Sequence, residues 1–216
     1  MLKLYSYWRS SASHRVRIAL NLKQLACEIV PIHLVRDGGQ QRAASYRALN
    51  PQGRVPLLVD GDFRVAQSLA IIEYLDALQP APRLIPAEPR LRALVQAFAQ
   101  TIIADIQPLQ NIGTLNHLRD ELGIDDAGRA AWLKHFIERG LSALEAEAAA
   151  RPATPFAFGE TPTIADCVLV PQLFAARRFA CDMEKFPRLV AIGAQCETLP
   201  AFQRAHPARQ PDAEPG

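Results

Sequence analysis

The stretch Tyr7-Trp8-Arg9-Ser10-Ser11-Ala12-Ser13-His14-Arg15-Val16-Arg17-Ile18-Ala19-Leu20 decides how the chain reads. It joins a short apolar run, Leu2 to Ser6, to a segment whose apolar residues are Val16, Ile18, Ala19, Leu20 and Leu22. The first reads as a buried strand and the second as an amphipathic helix over residues 11–23. Three serines stand where that helix begins. A helix start carries unpaired backbone N–H groups and a partial positive charge. Serine hydroxyls added there make a place for an anion such as a thiolate or a phosphate. Arg9, Arg15 and Arg17 add positive charge around it. Taken alone, the same residues also describe an ordinary serine-capped helix with solvated arginines.

Outward from this stretch, Cys27 to Leu34 reads as a second strand, with Pro31 placing it at a sheet edge. A strand, a helix and a strand in so few residues predict a parallel pair with a crossover helix. Arg36 to Gln41 holds Gly38-Gly39 and reads as a loop, and Ser45 to Leu49 as one helical turn. In Val55-Pro56-Leu57-Leu58-Val59-Asp60-Gly61-Asp62-Phe63-Arg64-Val65, Asp60-Gly61 between apolar runs predicts a hairpin. Pro56 opens its first strand, and the isomer of the Val55-Pro56 bond stays open at this point. After Gln67, Ser68 reads as the N-cap of a helix carrying Leu69, Ile71, Ile72, Leu75 and Leu78. The first 80 residues thus predict a mixed four-stranded sheet with helices on its faces.

Pro80, Pro82, Pro86 and Pro89 crowd into ten residues and mark a linker over 81–89. Beyond it the strand signals stop. Leu91, Leu94, Val95, Phe98, Ile102 and Ile106 trace one long helix that Pro108 should kink or break. Gln107 and Asn111, four apart, would share a helical face, or are simply two solvated amides. Leu133, Phe136, Ile137, Leu141 and Leu144 trace another helix. Thr163-Ile164-Ala165-Asp166 is a capping signal for an apolar helix with Pro171 inside and Arg177-Arg178-Phe179 at its end. A last helix includes Leu189, Val190, Ile192 and Cys196. The expected organisation is therefore an α/β domain over 1–80, the linker, an all-helical domain over 90–205 and a polar, Pro-rich tail over 206–216.

Composition narrows the function. The 216 residues are 49% hydrophobic and 21% charged, with 24 basic and 22 acidic residues giving a net charge of +2. That balance does not point to nucleic acid or an anionic membrane as a general partner. No apolar run is long enough to span a bilayer, and Met1 to Tyr5 lacks a signal-peptide pattern. Cys27, Cys167, Cys181 and Cys196 are scattered, without CxxC or metal-ligand spacing. They read as reduced thiols of a cytoplasmic protein, and no metal site is expected.

Several motifs carry a resemblance to a known family. Ser10-Ser11-Ala12-Ser13-His14-Arg15-Val16-Arg17-Ile18-Ala19-Leu20 is similar to the signature Ser-Ser-Cys-x-x-Arg-Val-Arg-Ile-Ala-Leu of zeta-class glutathione transferases. Asp37-Gly38-Gly39-Gln40-Gln41, Ala48-Leu49-Asn50-Pro51, Val55-Pro56 and Gln67-Ser68-Leu69-Ala70-Ile71-Ile72-Glu73-Tyr74-Leu75 continue the match. So do Ile106-Gln107-Pro108-Leu109-Gln110-Asn111, Ala165-Asp166-Cys167, Arg178-Phe179 and His206-Pro207-x-x-Gln210-Pro211-Asp212. The resemblance spans essentially the whole chain. It implies a thioredoxin-like N-terminal domain followed by an all-α C-terminal domain, with glutathione as cofactor and a homodimer as the assembly.

Carried over residue by residue, the resemblance implies a glutathione site. Ser10 would face the sulfur, helped by the helix start from Ser11 through Ala12, Ser13 and His14 to Arg15. Val55, before a Pro56 that the family holds cis, would pair its backbone with the cysteinyl part. Gln67 and Ser68 would take the γ-glutamyl end and Gln41 the glycyl end, with Gln107, Asn111, Ile112 and Gly113 adding contacts from the helical domain. Arg9 and Arg178 would meet the carboxylates of a small cis-enedioic keto acid, with Arg177 the neighbouring alternative. The implied activity is glutathione-dependent cis–trans isomerisation of maleylacetoacetate. Isomerisation of maleylpyruvate, or conjugation of electrophiles such as α-halo acids, is the alternative. Ala12 stands where the family signature has Cys, so the chemistry would rest on a glutathione thiolate and not on a protein thiol.

Overall fold

The computed structural model describes residues 1–214 and divides into two compact units. The first comprises Met1–Leu84 together with the chain from Thr198 onward, and the second comprises Ile85–Glu197.

The first unit is built on the expected sheet. Strands β1 (Leu2–Ser6), β2 (Cys27–Pro31), β3 (Leu57–Asp60) and β4 (Phe63–Ala66) lie in the order β2-β1-β3-β4. β1 and β2 run parallel, with Leu4 beside Ile29. Parallel neighbours need a crossover, and α1 (Ser11–Leu22) supplies it, burying Val16, Ile18, Ala19 and Leu20. β3 is antiparallel to β1, and β3 and β4 form the hairpin, turning at Gly61 with φ +58°. β2 is an edge strand, as Pro31 indicates, but it stops at Pro31 and does not run on to Leu34. The reason is local: β1 ends at Ser6, which pairs with Pro31 and takes a last bond from Ile32 N at 2.8 Å, so the ladder goes no further. The chain then leaves the sheet through tight turns at Arg36–Gly38 and Gln40–Arg42 and the short α2 (Ala44–Leu49).

Helix α3 (Ser68–Leu78) begins one residue away from the expected place. Gln67 holds the cap position with φ 72° and Ser68 is the first helical residue, so Ser68 is not the N-cap. At the far end of α1, Lys23 is buried and its ammonium donates to the Asp76 carboxylate, to Gln79 O at 2.8 Å and to Pro82 O. All three of its hydrogens thus have acceptors. Asp76 also accepts from Leu84 N at 2.8 Å. The first half of the Pro-rich stretch is therefore fastened to the first unit.

The second unit is helical. α4 (Pro89–Gln100) starts at a proline, with Glu88 accepting from the N–H groups of Arg90 and Leu91 at 2.9 and 2.6 Å. The helical run expected through Ile106 is continuous, but its last turn changes form. α4 ends at Gln100, Thr101–Ile106 is π-helical and Gln107–Gln110 is a 3-10 turn. Pro108 lacks an N–H and its ring crowds the carbonyl four residues back, so the ladder changes before the proline is reached. Next come α5 (Ile112–Asp120) and α6 (Asp126–Ala149). The buried α7 (Ile164–Arg178) has the predicted cap: Thr163 Oγ1 accepts from Ala165 N at 3.2 Å, and Asp166 Oδ2 accepts from Thr163 N at 2.8 Å. Pro171 sits inside α7 without ending it. The Glu145 carboxylate on α6 receives the N–H groups of Arg188 and Leu189 at 2.9 and 3.0 Å and so caps α8 (Pro187–Glu197).

The chain from Thr198 onward belongs to the first unit. α9 (Pro200–Ala205) returns to the first unit, where Asn21 Nδ2 donates to Ala201 O at 2.9 Å and Arg17 Nε to Ala205 O at 3.1 Å. The residues after it stay bonded to that unit through Asp212 and Glu214. The polar, Pro-rich composition reflects hydrogen-bonded chain on a surface. The last two residues of the expected tail lie outside the described residues. Among the described residues no helix is long and apolar enough to cross a membrane, and no cluster of His, Cys, Asp and Glu has the makings of a metal site.

Candidate active site

Ser10 occupies the N-cap of α1 with φ −71° and ψ 118°, and its Oγ accepts from Ser13 N at 3.2 Å. Its own N–H goes to Tyr7 O at 3.0 Å. A hydroxyl that accepts in this way still has its hydrogen to donate. Ser10, Ser11 and Ala12 are partly exposed, while Ser13, His14 and Arg15 are buried. The first-turn N–H groups have no carbonyl a turn behind them, so the exposed residues present the positive end of α1. Arg9 is exposed, with its guanidinium 4.3 Å from the centre of the Trp8 ring.

The loop before Ser10 is held from inside by Arg17. Its Nη1 reaches Ser6 Oγ at 3.1 Å and Tyr7 O at 3.3 Å, and its Nη2 reaches Trp8 O at 3.0 Å. From the other side, Trp8 N donates to Asp212 Oδ2 at 2.9 Å. Sequence reasoning did not single out Arg17 and Asp212 as supports of the site. The signal available was Asp212 within the His206 to Asp212 motif.

At the start of α3, Ser68 is buried and its Oγ accepts from Arg15 Nη1 at 3.1 Å. This bond brings together two of the expected site residues from positions 53 apart. Gln67 is exposed and its Nε2 donates to Gln52 Oε1 at 2.9 Å, so no side chain caps α3. The Val55-Pro56 bond is cis, and Val55 is half-buried just before β3. Gln41 is buried, with Nε2 donating to Leu34 O at 3.3 Å and Oε1 without a partner among the described residues.

In the second unit, Gln107 opens the 3-10 turn and Asn111 is the extended residue before α5. The two amides therefore do not share a helical face. Ile112 and Gly113 form the first turn of α5, and the space beside the Gly113 Cα is open. Arg177 Nη1 lies 3.6 Å from Glu197 Oε1, while the Arg178 guanidinium stacks 4.4 Å from the centre of the Phe179 ring. The two adjacent arginines are thus differently employed.

Comparison with known proteins gives a consistent answer. Residues 4–83 match the family described as Glutathione S-transferase, N-terminal domain, and residues 126–191 match Glutathione S-transferase, C-terminal domain. The chain is 44% identical to a maleylacetoacetate isomerase of Pseudomonas aeruginosa, over 98% of each chain. It superimposes with a TM-score of 0.95 on the holo structure of a maleyl pyruvate isomerase described as a bacterial zeta-class enzyme. That structure is 44% identical, with 98% of this chain and 100% of the other covered. A maleylacetoacetate isomerase structure from Anaeromyxobacter dehalogenans, with glutathione bound in its active site, gives a TM-score of 0.88 at 42% identity. There 99% of this chain and 98% of that one are covered. With both family domains matched and relatives this similar along nearly the whole length, the chain belongs to the glutathione transferase family, in its zeta class beside the maleylacetoacetate and maleylpyruvate isomerases.

Proposed function

We propose that this protein is a glutathione-dependent cis–trans isomerase that converts maleylacetoacetate to its trans isomer. The observation that carries the reading is the hydroxyl of the partly exposed Ser10 at the start of α1, its oxygen already accepting from Ser13 N. The hydrogen of Ser10 is thereby left to point at a sulfur, and the helix start behind it favours the charged form of that sulfur.

The residues present fit glutathione. Ser68 and the uncapped start of α3 suit its γ-glutamyl carboxylate. The backbone of Val55 suits strand-like pairing with the cysteinyl part. Gln41 offers Oε1 as an acceptor for the glycyl N–H, and Gln67 adds an amide near Ser68. Gln107, Asn111, Ile112 and Gly113 are proposed as further contacts from the second unit. Bound glutathione supplies a thiolate that adds reversibly to a cis double bond conjugated to a carbonyl, and the bond turns while it is single.

The protein's part is to lower the cost of the thiolate and to orient the acid. Ser10 donates to the sulfur, and the first turn of α1 opposes its protonation. Arg9 and Arg178 are proposed to read the carboxylates of the substrate, each with a planar fork of donors. A homodimer and a cytoplasmic location belong to the same reading.

The test follows loss of the cis substrate with and without glutathione, while free thiol is titrated. Glutathione-dependent loss with thiol conserved is expected, and Ser10→Ala should lower kcat/KM by roughly a hundredfold. Maleylpyruvate deserves a parallel assay because of the close superposition on a maleyl pyruvate isomerase, and the ratio of the two rates selects the substrate. Thiol consumed with an α-halo acid, and no isomerisation of either cis acid, would move the protein to conjugating chemistry.

A further inference from the structure

Among the described residues no acid answers the buried cation Arg15. It is 1% exposed, and its Nη1 donates to the Oγ of Ser68 at 3.1 Å. Nε and Nη2 have no partner among the described residues, and neither has Oγ of the fully buried Ser13. Burial alone pulls the Arg15 pKa down, to about 10, so the side chain is still charged at neutral pH. Arg17 differs, because Asp212 acts on its charge. Lys23, also deeply buried, is neutralised by Asp76. The dipole of α1 gives no help, because Arg15 lies toward its positive end. A buried charge held without a counter-ion is costly, so a fold that retains one needs a charge delivered from outside the chain.

The geometry says where that charge goes. Ser68 is the first residue of an eleven-residue helix with no side-chain cap. The positive end of α3 and the guanidinium of Arg15 converge on one hydroxyl. Since that oxygen accepts from Arg15, its own hydrogen is the one that remains to donate. The hydroxyl is thereby oriented and polarised as a donor at an anion-binding helix start.

We infer that Arg15 is the buried counter-charge for the carboxylate held at the start of α3, and that it acts through Ser68 as a positioning residue. The inference rests on the proposed glutathione reading, in which that anion is the α-carboxylate of the γ-glutamyl group.

The test compares two ligands on the full-length protein by titration calorimetry. One is glutathione. The other is γ-aminobutyryl-cysteinylglycine, which is glutathione without its α-carboxylate. Wild type should prefer glutathione by on the order of tenfold to a hundredfold. In Arg15→Met that preference should collapse to within a few fold, while the affinity for the analogue holds. The melting temperature of the ligand-free variant should not fall, because an uncompensated charge has left the interior. A merely structural arginine would weaken both ligands equally and lower that melting temperature, and this pattern overturns the inference. If Arg15→Met does not fold, Arg15→Lys decides. Retained preference for glutathione supports the charge, and its loss in a folded Lys variant overturns it. A wild type that binds both ligands equally overturns this inference alone, whereas one that binds neither overturns the glutathione reading and this inference together.

Discussion

The backbone N–H of Trp8 donates to Oδ2 of Asp212 at 2.9 Å, joining residues 204 positions apart. The bond lies two residues before Ser10 and balances the grip of Arg17 on the carbonyls of Tyr7 and Trp8. Glu214 continues the strap. It accepts from His33 Nε2 at 3.1 Å and pairs with Arg36. His33 Nδ1 accepts from Val35 N and Arg36 N, which leaves the proton on Nε2 and aims it at Glu214. The C-terminal chain therefore ties down both the loop before Ser10 and the turn that leads to Gln41.

Asp212→Ala should cost about 1–3 kcal/mol, since it leaves the N–H of a buried tryptophan without an acceptor. It should also raise the KM for glutathione more than it lowers kcat. Asp212→Asn keeps an acceptor and should fall well short of that loss. Thermal melts and steady-state kinetics of the two variants check this, and equal effects from Ala and Asn would contradict it.

The sheet, the crossover helix, the hairpin and the cap of α7 were legible because each rests on local chemistry. Alternating or periodic apolar residues, Asp60-Gly61 and the Thr163–Asp166 pair all act within a few positions of themselves. What escaped was non-local. Pro207 and Pro211 look like a tail in composition, but Asp212 and Glu214 are held by partners near the opposite end of the chain. Ser68 looked like a cap, yet its hydroxyl is engaged by Arg15, which no local pattern announces. The π-helical turn before Pro108 also escaped, because a proline signals a break but not the form that the preceding turn takes.

Gly140 on α6 faces Ile106, the last residue of that π-helical turn. A Cβ built on Gly140 would lie 2.3 Å from Ile106 Cγ1 and 2.4 Å from Cδ1. Ile106 is buried, so it has no solvent to move into. Gly140→Ala should destabilise by about 1–3 kcal/mol despite the higher helix propensity of alanine. Ile106→Ala removes both clashing atoms, so the double variant should be less destabilised than the sum of the singles. A double-mutant cycle from urea melts measures that coupling, and strict additivity would rule the contact out as the cause.

His14 gives the fold an acid limit. Burial, and then the positive fields of Arg17, His206 and Arg15, hold its pKa well below the usual 6.5. Below that ordinary value the unfolded chain binds a proton that the folded chain refuses. Stability therefore rises with pH through this window and is lost toward acid, by at most about 1.4 kcal/mol per pH unit from this group. Melting curves taken from neutral to mildly acidic pH should show the decline for wild type and a shallower one for His14→Gln. An unchanged slope in the variant would assign the acid sensitivity elsewhere.

Arg177 and Arg178 are adjacent on α7 but differ in what they touch. Arg177 lies 3.6 Å from the Glu197 carboxylate, where its charge is partly answered on the surface. Arg178 spreads its planar group over the Phe179 ring, which orients the guanidinium. A guanidinium oriented in this way suits bidentate recognition of a carboxylate, whereas one shared with Glu197 does not. Arg178→Ala should therefore lower kcat/KM for a dicarboxylic substrate by roughly tenfold or more and leave glutathione affinity unchanged. Arg178→Lys should recover only part, because it restores charge without the fork. Arg177→Ala should stay within about twofold of wild type, as the loss of an exposed pair costs little. If Arg177→Ala abolishes turnover and Arg178→Ala does not, the roles of the two arginines are reversed and Glu197 becomes the group that orients the reader.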